Sequence, residues 1–253
     1  MKIAYELNPP RIANDGRFDY KHLEKGMETL RKRASLLKRH ADGVHLTDSV
    51  LGIPRVSAIA AAAYIKKAVG DMKVSCSLRT SDRNVITLSQ AAVEAVMAKV
   101  DSLLLLMGDA PTDGRASGLK PSQALSMLRN QGFDRKLKLD LSFPAKIPDK
   151  WSPAIQAKLA ARPRAFVTQS ISSLSDLADI IDLAKENSVG ITACIMVPSE
   201  KNTQSAKMIG LDWSCYEKEP AEFVKKAGRL AGSVLLTSPG SFKTGLDLLK
   251  ELS

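Results

Sequence analysis

Three residues of this chain stand where buried stretches of sequence stop, and their types suit proton transfer and recognition. Glu6 closes a strand-like segment over 2–7 and is followed by Asn8-Pro9-Pro10, which cannot continue a sheet. Asp109 follows the run Leu103-Leu104-Leu105-Leu106, where Gly108 permits a tight turn and Pro111 blocks continuation. Gln169 ends a short apolar segment over 165–169. A carboxyl can move a proton, and an amide offers a donor and an acceptor. Together they suit a heterocycle with alternating donors and acceptors, such as a pterin or a flavin. Asp109 taken alone fits equally well a residue that caps the next helix or shapes the turn, so the other strand ends must decide.

Four leucines in a row can be buried on every side in a parallel strand covered by helices on both faces. Further strand patterns fall at 2–7, 43–48, 72–78, 136–141, 165–169, 190–197 and 233–236. Helical spacing fills 20–40, 54–69, 89–100, 122–130, 152–161, 175–186, 201–209, 219–230 and 242–252. Strict alternation with short connections predicts an α/β fold, a single (β/α)8 TIM barrel spanning 1–253. An open doubly wound sheet is the competitor. It would carry a Gly-rich phosphate turn after the first strand, and Asn8-Pro9-Pro10 is the opposite of one.

The barrel reading gathers Glu6, Thr47, Asp48, Arg79, Asp82, Asp109, Gln169, Ser199 and Thr237 on one rim. The set has no histidine and no cysteine, which argues against Ser/His or zinc hydrolysis. His22, His40 and His45 fall on a helix, a helix end and a strand interior. Cys76, Cys194 and Cys215 lack metal-type spacing, and the first two read as small buried thiols. The balance of 37 Lys+Arg against 27 Asp+Glu gives +10. That surplus fits either an anionic ligand or a solvated lysine-rich surface. Aromatics at 5% argue against a base-stacking nucleic-acid surface. No apolar run reaches the roughly 18 residues of a membrane span. An odd cysteine count with no visible signal peptide leads to the expectation of a cytoplasmic protein.

The rim motifs carry a resemblance. Tyr5-Glu6-Leu7-Asn8-Pro9-Pro10, Ser77-Leu78-Arg79-Thr80-Ser81-Asp82-Arg83-Asn84, Leu106-Met107-Gly108-Asp109-Ala110-Pro111 and Val167-Thr168-Gln169 resemble, in order, four strand-end motifs of the methylenetetrahydrofolate reductase family. The resemblance implies a barrel oxidoreductase that reduces a methylene-tetrahydropterin, of folate or methanopterin type, to the methyl form. Glu6 would then be the general acid that helps open the methylene bridge. Asp109 would tune the flavin and pterin, and Gln169 with Thr168 would bind the substrate. Thr47, Ser77, Gly108, Ala110 and Lys158 would contact the cofactor. FAD is the cofactor so implied, with NAD(P)H or another reduced carrier as electron donor. A homo-oligomer or a redox partner subunit would accompany it, with no metal, nucleic acid or membrane.

The departures fall on the flavin side. Met107 replaces the family's arginine, Ser77 its histidine, and Ser142-Phe143-Pro144-Ala145-Lys146 its Tyr-Pro-Glu-x-His-Pro. The helix after it carries Trp151, Ala154 and Ala157, with only Lys158 kept. These departures leave open FAD, FMN or no flavin. They also leave open a pterin-binding or scaffold subunit without redox activity, serving a methyltransferase or redox partner.

Overall fold

The computed structural model describes residues 1–14, 17–109, 116–147 and 149–253. Its strands in chain order are β1 (Lys2–Leu7), the two-residue hairpin strands β2 (Ala13–Asn14) and β3 (Arg17–Phe18), β4 (Gly43–Leu46), β5 (Lys73–Arg79), β6 (Ser102–Leu106), β7 (Lys138–Phe143), β8 (Ala165–Thr168), β9 (Gly190–Met196) and β10 (Gly232–Thr237). All but the hairpin pair are parallel and close a barrel in the ring order β1-β10-β9-β8-β7-β6-β5-β4. The fold is a (β/α)8 TIM barrel, as the alternating pattern predicts.

Helices α1 (Tyr20–Leu37), α2 (Ala58–Val69), α3 (Val85–Met97), α4 (Pro121–Asn130), α5 (Pro153–Ala160), α6 (Leu174–Glu186), α7 (Thr203–Met208), α8 (Pro220–Ala231) and α9 (Phe242–Leu252) cover the outside. Outward strand residues such as Tyr5, Leu7, Val44, Leu46, Val74 and Leu78 join the helix faces, among them Leu30, Ala34 and Leu37 of α1, in one large core. The inward residues alternate with them and form a smaller plug: Leu104, Val167, Cys194 and Leu235, with Ala4 and Leu106 packed on it. On β7, beside the plug residue Leu104, the buried Asp140 carboxylate accepts from Arg164 Nε and Nη2 at both its oxygens, at 2.8 and 2.7 Å. No helix among the described residues is long and apolar enough to cross a membrane.

Several boundaries differ from the periodicity, each for a local reason. Helix α2 begins at Ala58 because the Ser57 hydroxyl accepts the Ala60 N–H, which leaves 54–56 in the rim. Helix α3 starts at Val85 because the Asn84 side chain caps Thr87 N. Strand β7 runs over Lys138–Phe143, later than the Lys/Leu alternation suggests. A single 3-10 turn, Phe133–Arg135, draws Leu137 N onto Phe133 O before the strand begins.

Candidate active site at the barrel mouth

Strand β1 turns Tyr5 and Leu7 toward the helices, so Ala4 and Glu6 face inward. Glu6 Oε1 accepts a 2.7 Å hydrogen bond from Thr237 Oγ1 at the end of β10. Burial raises the Glu6 pKa above the ordinary carboxylate range, and the Thr237 bond opposes this in part. The neutral, proton-carrying form is thereby favoured. The Cys194 thiol is held up at about 12, by burial first and by the nearby Glu6 charge second.

His45 lies on β4 in register with Glu6. Its Nδ1 is 2.8 Å from Ser75 Oγ and its Nε2 2.8 Å from Ser77 Oγ. The Ser75 hydroxyl reaches Val44 O at 3.4 Å. Burial pushes the His45 pKa down to about 4, so the ring is neutral at neutral pH, with one nitrogen donating and the other accepting. No strand-end motif includes this residue. Its neighbours Val44 and Leu46 are outward core residues, and that alternation was the signal that His45 points into the barrel. Two residues on, the Thr47 hydroxyl donates to Asn8 Oδ1 at 2.6 Å.

The segment from Arg79 to Asn84 builds a clamp at the rim. Arg79, 1% exposed, donates from Nε to Asp82 Oδ2 at 2.9 Å, from Nη1 to Ser49 O at 2.8 Å and from Nη2 to Asp109 O at 2.7 Å. Arg83 Nη1 lies 2.8 Å from Asp48 Oδ2. One guanidinium thus ties the loops after β4, β5 and β6. Gly108 has φ +81°, and a Cβ there would stand 2.8 Å from Arg79 Cγ, so the clamp explains the glycine. The Asp109 carboxylate accepts the N–H of Leu51 at 2.6 Å, a residue held at φ +62°. Ala110 and Pro111 lie outside the described residues.

On the far side of the mouth, Gln169 and Lys158 meet in a cleft of about 340 Å³. Ser142, Phe143, Pro144, Ser152, Ala154 and Ile155 complete its walls. Lys158 Nζ donates to Ser142 O at 2.6 Å, and burial lowers its pKa. Gln169 is exposed to the cleft, whereas the buried Thr168 accepts the Cys194 N–H at 3.0 Å and so fixes the strand end that carries Gln169.

Glu6 lies in β1, and Asp109 and Gln169 follow β6 and β8; round the ring β1 and β6 are three strands apart, β6 and β8 two, and β8 and β1 three. The volume of the cleft and its mainly apolar walls suit a small heterocycle. The flavin-side residues fit less well. Thr47, Ser77 and Lys158 are each bonded within the protein, and Gly108 is closed by Arg79. A resident flavin would have to exchange those bonds for its own.

No family model matches the chain, and no curated protein sequence matches it. Solved structures of like fold do exist. A long-chain alkane monooxygenase is similar over 99% of this chain and 90% of its own, with TM-score 0.61 and 10% identity. A riboflavin lyase solved with modified FMN and riboflavin matches 99% of this chain and 92% of its own, with TM-score 0.59 and 10% identity. A 3-hexulose-6-phosphate synthase matches 100% and 98%, with TM-score 0.55 and 14% identity. At such identities the likeness establishes the barrel and leaves the chemistry to the site.

Proposed function

We propose that this barrel is an oxidoreductase that reduces a methylene-tetrahydropterin to its methyl form. The observation that carries the reading is Glu6, an inward carboxyl at the mouth whose burial favours the protonated state. Such a group can protonate one nitrogen of the methylene bridge as the C–N bond breaks, leaving an electrophilic iminium at the other. Hydride addition to the iminium carbon then gives the methyl group. Thr237 orients the acid and stabilises the carboxylate left after transfer. Gln169, with a donor and an acceptor on one planar group, suits the edge of the pterin ring.

The hydride donor in this reading is NAD(P)H or a reduced flavin. A neighbour of like fold solved with modified FMN makes flavin the first cofactor to look for. The internally bonded Thr47, Ser77 and Lys158 favour a carrier that exchanges freely. The same bonds support a second reading, a pterin-binding subunit whose redox step belongs to a partner.

The test is methyl-pterin formation by the purified protein from folate- and methanopterin-type substrates, with NADH, NADPH and reduced flavin offered separately. Turnover with any donor, lost in Glu6→Gln, supports the reductase. Pterin binding by calorimetry with no turnover supports the binding subunit. Neither turnover nor binding overturns both. The visible absorption of the pure protein identifies a bound flavin directly.

A further inference from the structure

Two arginines face each other on the rim. Arg11, between β1 and α1, and Arg55, between β4 and α2, form an isolated antiparallel bridge. The flanking bonds are Ile12 N to Pro54 O at 3.3 Å and Val56 N to Pro10 O at 3.0 Å. Arg11 and Arg55 therefore form the non-hydrogen-bonded pair of this two-stranded contact. At such a position opposed Cα atoms stand about 4.5 Å apart and both side chains leave on the same side. Like charges placed so oppose folding.

Nothing among the described residues offsets that cost. Arg79, Arg83 and Arg164 each meet a carboxylate, whereas Arg11 and Arg55 form no salt bridge among the described residues. Arg55 is also held in place. Arg55 Nη1 donates to Pro9 O at 2.8 Å, and its Nε is buried without a partner. Burial and the Arg11 charge both lower the Arg55 pKa. A fixed guanidinium with an unused donor, beside a second guanidinium, is a binding geometry for an oxyanion.

We propose that Arg11 and Arg55 form an oxyanion clamp on the rim, taking a phosphate or carboxylate group carried by the ligand of the mouth. The two groups share one chemistry, charge-assisted hydrogen bonds to paired guanidinium donors. They differ in source: a phosphate belongs to a nucleotide carrier, and a carboxylate to the acidic tail of a pterin. The inference goes beyond the reductase reading, because anion binding is read without turnover. A protein that binds the anion and reduces nothing keeps the clamp and loses the reductase.

The experiment titrates inorganic phosphate and, separately, glutarate into the whole protein at low salt, by calorimetry and by thermal shift. Wild type, Arg11→Gln and Arg55→Gln are compared. Saturable binding of one anion that weakens about tenfold or more in each variant, and falls with added salt, supports the clamp. The anion that binds identifies the source. Binding of neither anion, or binding unchanged in both variants, overturns it. A second readout covers misfolding. With no anion and at low salt, Arg11→Gln raises the melting temperature, because a repulsion is removed, and added salt shrinks the gain. A lower melting temperature for Arg11→Gln under those conditions means the arginines stabilise the bridge, and that also overturns the proposal.

Discussion

Replacing His45 with glutamine tests the account of the barrel interior most sharply. His45 is 4% exposed and held between Ser75 and Ser77, and its pKa is lowered from 6.5 to about 4 by burial. A histidine that stays neutral in the fold but is free to charge when unfolded contributes stability above pH 6.5, and that contribution is lost as pH falls toward about 4. At about 1.4 kcal/mol per pH unit, the full contribution is roughly 3 kcal/mol. Glutamine is neutral throughout and offers one donor and one acceptor to the same two serines. Urea unfolding of wild type and His45→Gln across this pH range gives two curves, and their difference isolates the histidine because the carboxylates are common to both. The wild-type advantage should shrink steadily below pH 6.5 and level off near 4. A difference that stays constant with pH refutes the buried neutral imidazole, whatever its size.

Three further outcomes follow from named contacts. Gly108→Ala forces a Cβ at φ +81° against the Arg79 side chain and should lower the unfolding free energy by about 1–3 kcal/mol; an unchanged urea midpoint removes the clamp as the reason for the glycine. Arg164→Met strands the buried Asp140 carboxylate, with an expected loss of about 3–5 kcal/mol in unfolding free energy; an unchanged urea midpoint speaks against it. Glu6→Gln should cut methyl-pterin formation by about 10²–10⁴-fold without loss of melting temperature. The sign of the linkage supports the second half: with its pKa raised, Glu6 contributes stability below the ordinary carboxylate value that is lost as pH rises. Glutamine should therefore be at least as stable above neutrality, and a marked loss there would mean Glu6 is a structural carboxylate.

The barrel was legible because its signal is local. A run of four leucines, alternating apolar segments and Pro or Gly at strand ends each state a preference within a few residues, and those preferences agree. The rim was legible only as a set of residue types. Arg79 and Asp109 were placed correctly at strand ends, yet their positions could not say whether they faced a ligand or the backbone. In the structure Arg79 spends three donors inside the protein, two of them on carbonyls of the loops at Ser49 and Asp109, and the Asp109 carboxylate meets the Leu51 N–H. Those partners lie some thirty to sixty residues away, and only loop geometry brings them together. The Arg11–Arg55 bridge was hidden for the same reason, and also because 54–57 continued the helical pattern of α2 until the Ser57 cap cut it off. His45 is the instructive exception. Its inward direction follows from the outward Val44 and Leu46, although a polar ring inside the barrel wall lies away from the strand ends where polar chemistry gathers. Alternation assigns a side chain to a face more securely than residue type assigns it a task, so unexplained inward polar residues of a barrel strand are the first to examine for function.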